Sequence, residues 1–189
     1  MMAAATTPGE GMAVDVEEPV LIATELVVAS ELEEWEDPQE NEKIELALVE
    51  QGYFRDDVPL TYDEQDYLHT ACRESGIPYA LALAVIERET GFRNVVGDDG
   101  ASAGYMQVQK RWHMDRMERL GVEDLSHPFG NFRVGCDFLA ELLEKYPVEE
   151  ALTAYNSGSP GASAYSRGVM ENYDRWKELV GDDVGGIKS

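Results

Sequence analysis

Basic side chains are scarce in this chain of 189 residues. Fifteen lysines and arginines stand against 38 aspartates and glutamates, for a net charge of −23. A surface so anionic does not neutralise phosphates, which argues against nucleic acid and against adsorption to anionic lipid. Long apolar runs are missing too: no stretch reaches the 18 residues or so of a membrane-spanning helix, so no span is expected. The N-terminus has no basic region followed by a long apolar stretch, so no secretory signal is visible. An intracellular protein, a trimmed chain and export by another route all stay open. The two cysteines, Cys72 and Cys136, follow no metal or redox spacing. They read as buried free thiols, with a single disulfide as the alternative. The three histidines, His69, His113 and His127, lack the paired spacing of a zinc site. Neither GxxxxGK(S/T) nor GxGxxG is present, and Gly97-Asp98-Asp99-Gly100 lacks the remaining ligands of a calcium loop. No metal and no cofactor are expected.

What is present is unevenly distributed. Residues 1–59 hold 16 of the acidic side chains and 2 of the basic ones. Residues 1–17 are small and polar and read as a disordered tail. The run Val20–Ala29 is compatible with strand or helix, Glu31–Glu42 is an acidic spacer broken at Pro38, and Lys43–Gln51 is a short helix stopped at Gly52. Residues 1–58 are therefore assigned as an acidic, partly disordered arm, residues 59–180 as the compact domain, and 181–189 as a flexible tail.

In that domain Thr61-Tyr62-Asp63-Glu64 has capping-box spacing, which opens a helix running to Ser75 before Gly76. Pro78 suits the first turn of the next helix, which ends near Glu89. Gly97, Gly100 and Gly104, with Val95, Val96 and Val108, predict a loop or small hairpin over 91–108. Further helices are predicted at 110–120, 129–146, 148–156 and 162–180. The fold class is mainly α with at most one minor sheet.

Leu81, Val85 and Glu89 fall on one stripe of the second helix. A carboxyl group there is poorly solvated when ionised, which raises its pKa and suits it to donate a proton near neutrality. The alternative is a helix-end glutamate pointing to water. Taken singly, Met106 and Tyr155 could be core, Gln107 a loop amide, and Asn156 a helix end before Gly158.

Their order is more specific than any one of them. The chain from about Tyr62 to Trp176 resembles the soluble lytic transglycosylase (SLT) domain, relatives of goose-type lysozyme that cleave bacterial peptidoglycan. The family's apolar helix ending in Glu-Ser-x-Phe is met by Glu89-Thr90-Gly91-Phe92, with threonine in place of serine. Gly-Leu-Met-Gln stands as Gly104-Tyr105-Met106-Gln107, and Asn-x-x-x-Gly as Asn131 to Gly135. Ala-Tyr-Asn-x-Gly is intact as Ala154-Tyr155-Asn156-Ser157-Gly158, and the later tyrosine-x-x-x-valine is Tyr165 and Val169. Two departures stand out: Tyr105 replaces leucine, and the loop serine of the family corresponds to Ser102 or is displaced by Asp98.

The resemblance implies a lysozyme-like helical domain and an extracytoplasmic enzyme acting on peptidoglycan glycan strands. It makes Glu89 the acid and then the base in a substrate-assisted cleavage that closes a 1,6-anhydro ring on N-acetylmuramic acid. It places Tyr155 near Glu89 or the N-acetyl oxygen, Gln107 and Asn156 on sugar amides or hydroxyls, and Met106 along a subsite. Thr90 orients Glu89 or caps its helix, and Tyr165 belongs to the cleft or to the core. Two competing readings remain. One is a hydrolysing muramidase in which Asp98 or Asp99 positions a water. The other is a non-cleaving wall-binding module whose acidic arm docks to a secretion, conjugation or phage apparatus.

Overall fold

The computed structural model describes residues 54–182. The arm assigned to 1–58, apart from its last residues, and the tail beyond 182 lie outside the described residues. The described elements belong to one compact unit.

Helix α1 (Tyr62–Ser75) begins where the spacing predicts. Thr61 accepts from the Glu64 amide, the Glu64 carboxylate accepts from the Thr61 amide, and Gly76 closes the helix at φ 72°. The left-handed turn at Gly76 is a conformation glycine adopts without a Cβ penalty. A buried glutamine ties the preceding strand of chain to α1. Gln65 donates to the carbonyls of Arg55 and Leu60, at 3.0 Å each, and accepts from the Arg55 amide at 3.1 Å. Val58 and Leu60 are thereby packed into the core.

Helix α2 (Tyr79–Thr90) is the centre of the bundle, with every residue from Tyr79 to Ile86 buried. It packs chiefly against α6 (Ala164–Val180), while α1 packs against α4 (Pro128–Lys145). Helix α5 (Val148–Ser157) bridges α4 and α6. A helix that is apolar on all sides has no solvent face to present, so enclosure by neighbours is its stable solution.

Between α2 and α4 lie three two-residue strands, β1 (Val96–Gly97), β2 (Ser102–Ala103) and β3 (Val108–Gln109). They form an antiparallel sheet in that order, with Val96 opposite Ala103 and Ala103 opposite Val108. The loop or hairpin predicted here is thus a small sheet, with a 3-10 turn over Asp98–Gly100. The helix predicted at 110–120 is divided: a 3-10 turn over Lys110–Trp112 precedes α3 (Met114–Leu120), because His113 at φ −126° and ψ 18° breaks the helical path. Cys72 on α1 and Cys136 on α4 are buried free thiols. Burial pushes the Cys72 thiol well up, assisted by its hydrogen bond with Cys136.

Candidate active site

The end of α2, the sheet, the segment after it and the C-terminal end of α5 enclose a cleft of about 880 Å³. Glu89 lines it together with Gln107, Tyr155 and Asn156. Residues from three widely separated parts of the chain therefore meet in one concavity. Thr90 and Met106 are fully enclosed in protein and do not line it.

Glu89 is half-buried on the α2 stripe above Val85. Desolvation pushes its carboxyl above the usual range, and the negative charge of Asp98 adds to the rise. A hydrogen bond from Tyr165 and the charge of Arg88 oppose it, because both favour the ionised form. Tyr165 Oη donates to Glu89 Oε1 at 2.6 Å. Tyr165 is thus the phenol at the acid, while its helical neighbours Val169, Tyr173 and Trp176 are in the core. With Oε1 engaged, Oε2 is the oxygen left to carry a proton toward a ligand. Arg88 lies over the Tyr165 ring at 5.9 Å from its centroid and abuts Gly168.

Below the acid, three helices hold one short piece of backbone. Thr90 on α2 donates to the Tyr105 carbonyl at 3.0 Å. Asn131 on α4 accepts from the Met106 amide at 2.9 Å, and Tyr155 on α5 donates to the Met106 carbonyl at 2.9 Å. Asn131 also donates to the carbonyls of Ala103 and Leu125. Two glycines permit the approach. A Cβ on Gly104 would stand 2.2 Å from the Asn131 amide nitrogen, and one on Gly135 would stand 2.5 Å from the Met106 sulfur. The Thr90 hydroxyl and the Met106 side chain therefore support from behind the cleft lining to which Tyr155 contributes. Burial drives the Tyr155 phenol pKa well up, and the charge of Glu89 contributes, so the two groups are within electrostatic reach.

Gln107 follows with its backbone at φ 49°, and its amide donates to the carbonyls of Val95 and Gly104. Its carboxamide oxygen presses on Gly97, where a Cβ would lie 2.1 Å away. Asn156 is exposed in the cleft wall with its side-chain amide unengaged by any described residue. The loop serine and aspartate meet: Ser102 donates to Asp98 Oδ2, and Gln109 donates to the same oxygen at 3.1 Å. Both Asp98 and Ser102 line the cleft, whereas Asp99 does not. Asp98 and Asp99 have left-handed backbones, φ 47° and 52°.

A further stretch of wall has no counterpart among the expected site residues. Arg111, Trp112, His113, Arg116 and Phe138 all face the cleft. Phe138 packs at a tilt against His113, at 4.5 Å between ring centroids, and against Tyr155, at 5.1 Å. Arg116 lies over Phe138 and pairs with Asp137 and Glu141, and hydrogen bonds from Lys145 and Arg116 hold the Glu141 carboxyl pKa down at about 2. The signal in the sequence was the Lys110–His113 cluster of cations and aromatics directly after the sheet. Among the described residues no group of three or more His, Cys, Asp or Glu is placed to hold a metal ion.

Residues 66–177 match the family model described as the transglycosylase SLT domain. Two solved structures share the fold. An inactive mutant of the lytic transglycosylase Slt from Pseudomonas aeruginosa superposes with a TM-score of 0.56 at 16% identity, over 72% of this chain and 28% of that one. The 70 kDa soluble lytic transglycosylase from Escherichia coli superposes with a TM-score of 0.53 at 19% identity, over 70% of this chain and 26% of its own. The present chain thus spans little more than a quarter of either. No helix among the described residues is long and apolar enough to cross a membrane.

Proposed function

The chain belongs to the transglycosylase SLT domain family, and we propose that it is a peptidoglycan lytic transglycosylase acting outside the cytoplasm. The observation that carries this reading is Glu89: a desolvated carboxyl group, held through one oxygen by Tyr165, in the wall of a cleft large enough for several sugars. Glu89 donates its proton to the oxygen between N-acetylmuramic acid and N-acetylglucosamine, and the bond from that oxygen to the anomeric carbon breaks. The N-acetyl oxygen of the muramic acid stabilises the positive carbon. Glu89, now a carboxylate, takes the proton of the C6 hydroxyl as that oxygen closes the 1,6-anhydro ring. No water is consumed, and the enzyme regains its starting protonation. A positioned acid or base of this kind contributes about 10²–10⁴-fold.

Gln107 is fastened to Val95 and Gly104, so its role is to shape the wall beside the acid, and Asn156 is the free amide for sugar hydroxyls or N-acetyl groups. Tyr155, Thr90 and Met106 act by fixing the Tyr105–Met106 backbone behind the cleft.

One observation favours a second reading. Asp98 lies in the same cleft, close enough to raise the Glu89 pKa, with one oxygen held by Ser102 and Gln109. Its other oxygen could activate a water in an inverting hydrolysis. Mass analysis of products from purified peptidoglycan separates the two. Transglycosylation leaves anhydro ends, each lighter by one water than the reducing ends of hydrolysis. Glu89→Gln loses both activities, whereas Asp98→Asn spares the transglycosylase. Reducing ends from the wild type that vanish in Asp98→Asn would replace the first reading by the second.

A further inference from the structure

We infer that the wall formed by Arg111, Trp112 and His113 is a subsite for the stem peptide carried by the glycan, and that Arg111 pairs with a peptide carboxylate. This rests on the reading of the cleft as a peptidoglycan site and extends it to the part of the substrate that is not cleaved.

Three features of different chemistry stand side by side in this wall. Arg111 is exposed and hydrogen-bonds the Gln109 carboxamide oxygen at 2.9 Å, with no carboxylate partner among the described residues. Arg55, Arg116, Arg119, Arg133 and Arg175 are all engaged by carboxylates, whereas Arg111 keeps its charge uncompensated in the wall of the cleft. Trp112 is 71% exposed although it lines the cleft, and the Arg111 guanidinium lies 5.0 Å from its ring centroid. Such a stack orients the guanidinium fork and leaves a broad apolar face for a ligand. His113 is buried at its edge and accepts from Arg116 Nε at its Nδ1, at 3.4 Å. That places the ring hydrogen on Nε2, where no described residue takes it. Burial and the neighbouring Arg116 lower the His113 pKa, so the ring stays neutral and offers a donor without a charge.

A cation, an apolar face and a neutral donor fit a carboxylate, an aliphatic chain and an amide carbonyl. Those three groups occur together in a peptide. In an N-acetylated glycan whose lactyl groups are amide-linked to peptides, the sugars carry no charge, so the carboxylates available to Arg111 are those of the peptide. The preference arises locally, since the net charge of the protein repels anions at long range.

Binding by the full chain carrying Glu89→Gln tests this without turnover. The ligands are glycan oligomers bearing stem peptides with free carboxylates, and the same oligomers after chemical amidation of those carboxylates. The free-acid form is expected to bind about three- to tenfold more tightly, the span of an exposed charge-assisted contact. Adding Arg111→Gln should erase that preference, and Arg111→Lys should keep part of it. Trp112→Ala should weaken both forms alike. Equal affinity for the two ligands in the starting protein, or a preference that survives Arg111→Gln, overturns the assignment. A wild-type protein that binds both ligands but cleaves neither would instead sink the proposed activity and leave the peptide subsite standing.

Discussion

Tyr165 and Glu89, 76 positions apart, share a 2.6 Å hydrogen bond in which the phenol donates to the carboxyl oxygen Oε1. The bond favours the ionised acid and so restrains the rise in pKa that burial imposes. Removing it with Tyr165→Phe should raise the pKa of Glu89 further. The alkaline limb of the kcat/KM profile, which reports the free enzyme's essential acid, should then move to higher pH. The same change should lower kcat by about 10- to 100-fold, because the acid loses its orientation. An alkaline limb that stays in place while kcat falls would mean that Tyr165 serves packing alone.

Glu89→Gln should abolish cleavage and stabilise the fold at neutral pH. A carboxyl whose folded pKa lies above its unfolded one binds more protons in the native state. Stability therefore falls as pH rises from the unfolded value, about 4.3, through the raised folded value. The glutamine escapes this loss. Its melting temperature should match the wild type near pH 4 and exceed it at pH 7, by about 2–4 °C for each kcal/mol recovered. Melting curves at the two pH values decide it, and a pH-independent difference would contradict a desolvated acid.

Gly135→Ala should destabilise the domain by about 1–3 kcal/mol, since the added methyl meets the Met106 sulfur at 2.5 Å and its Cβ at 3.0 Å. Met106→Ala should be costly alone, through the cavity it leaves. Combined, the two should cost less than their sum by about 0.5 kcal/mol or more, because each relieves the other. Denaturant titration of all four proteins measures the coupling, and strict additivity would deny the contact.

Native protein should resist alkylation of Cys72 and Cys136 at pH 8 and react at both once denatured. Both thiols are buried, and the Cys72 thiolate is strongly disfavoured there. Mass spectrometry after a timed pulse of reagent counts the labelled sites. Rapid labelling without denaturant would show that the α1–α4 seam opens.

Local signals in the chain carried most of the helices. The Thr61 box and the glycines at 76, 91 and 158 act through nearest neighbours, and the structure has helices that start or stop beside them. The stripe placing Glu89 over Val85 was equally readable, because helical periodicity is itself local. The division of labour among the site residues was not. Tyr165 shares a periodic stripe with Val169 and Tyr173, and a turn of helix cannot reveal which member leaves the core to meet an acid 76 positions away. The engagement of Gln107 with backbone carbonyls depends on a left-handed residue that no composition rule marks. Arg111 and Trp112 carry no motif, and His113 reads in the sequence only as a histidine without a zinc partner, because a 3-10 turn, not the continuous helix predicted there, directs them to the cleft.

Met106 is moored to α2 through its neighbour Tyr105, and to α4 and α5 directly, so three helices converge on the backbone behind the cleft. The rim from Arg93 to Gly100, by contrast, is largely solvent-facing and is anchored sideways by Asn94 on the Ser126 carbonyl. Asp98 rides on that rim. The charge on this solvent-facing rim thus helps to set how firmly the acid keeps its proton.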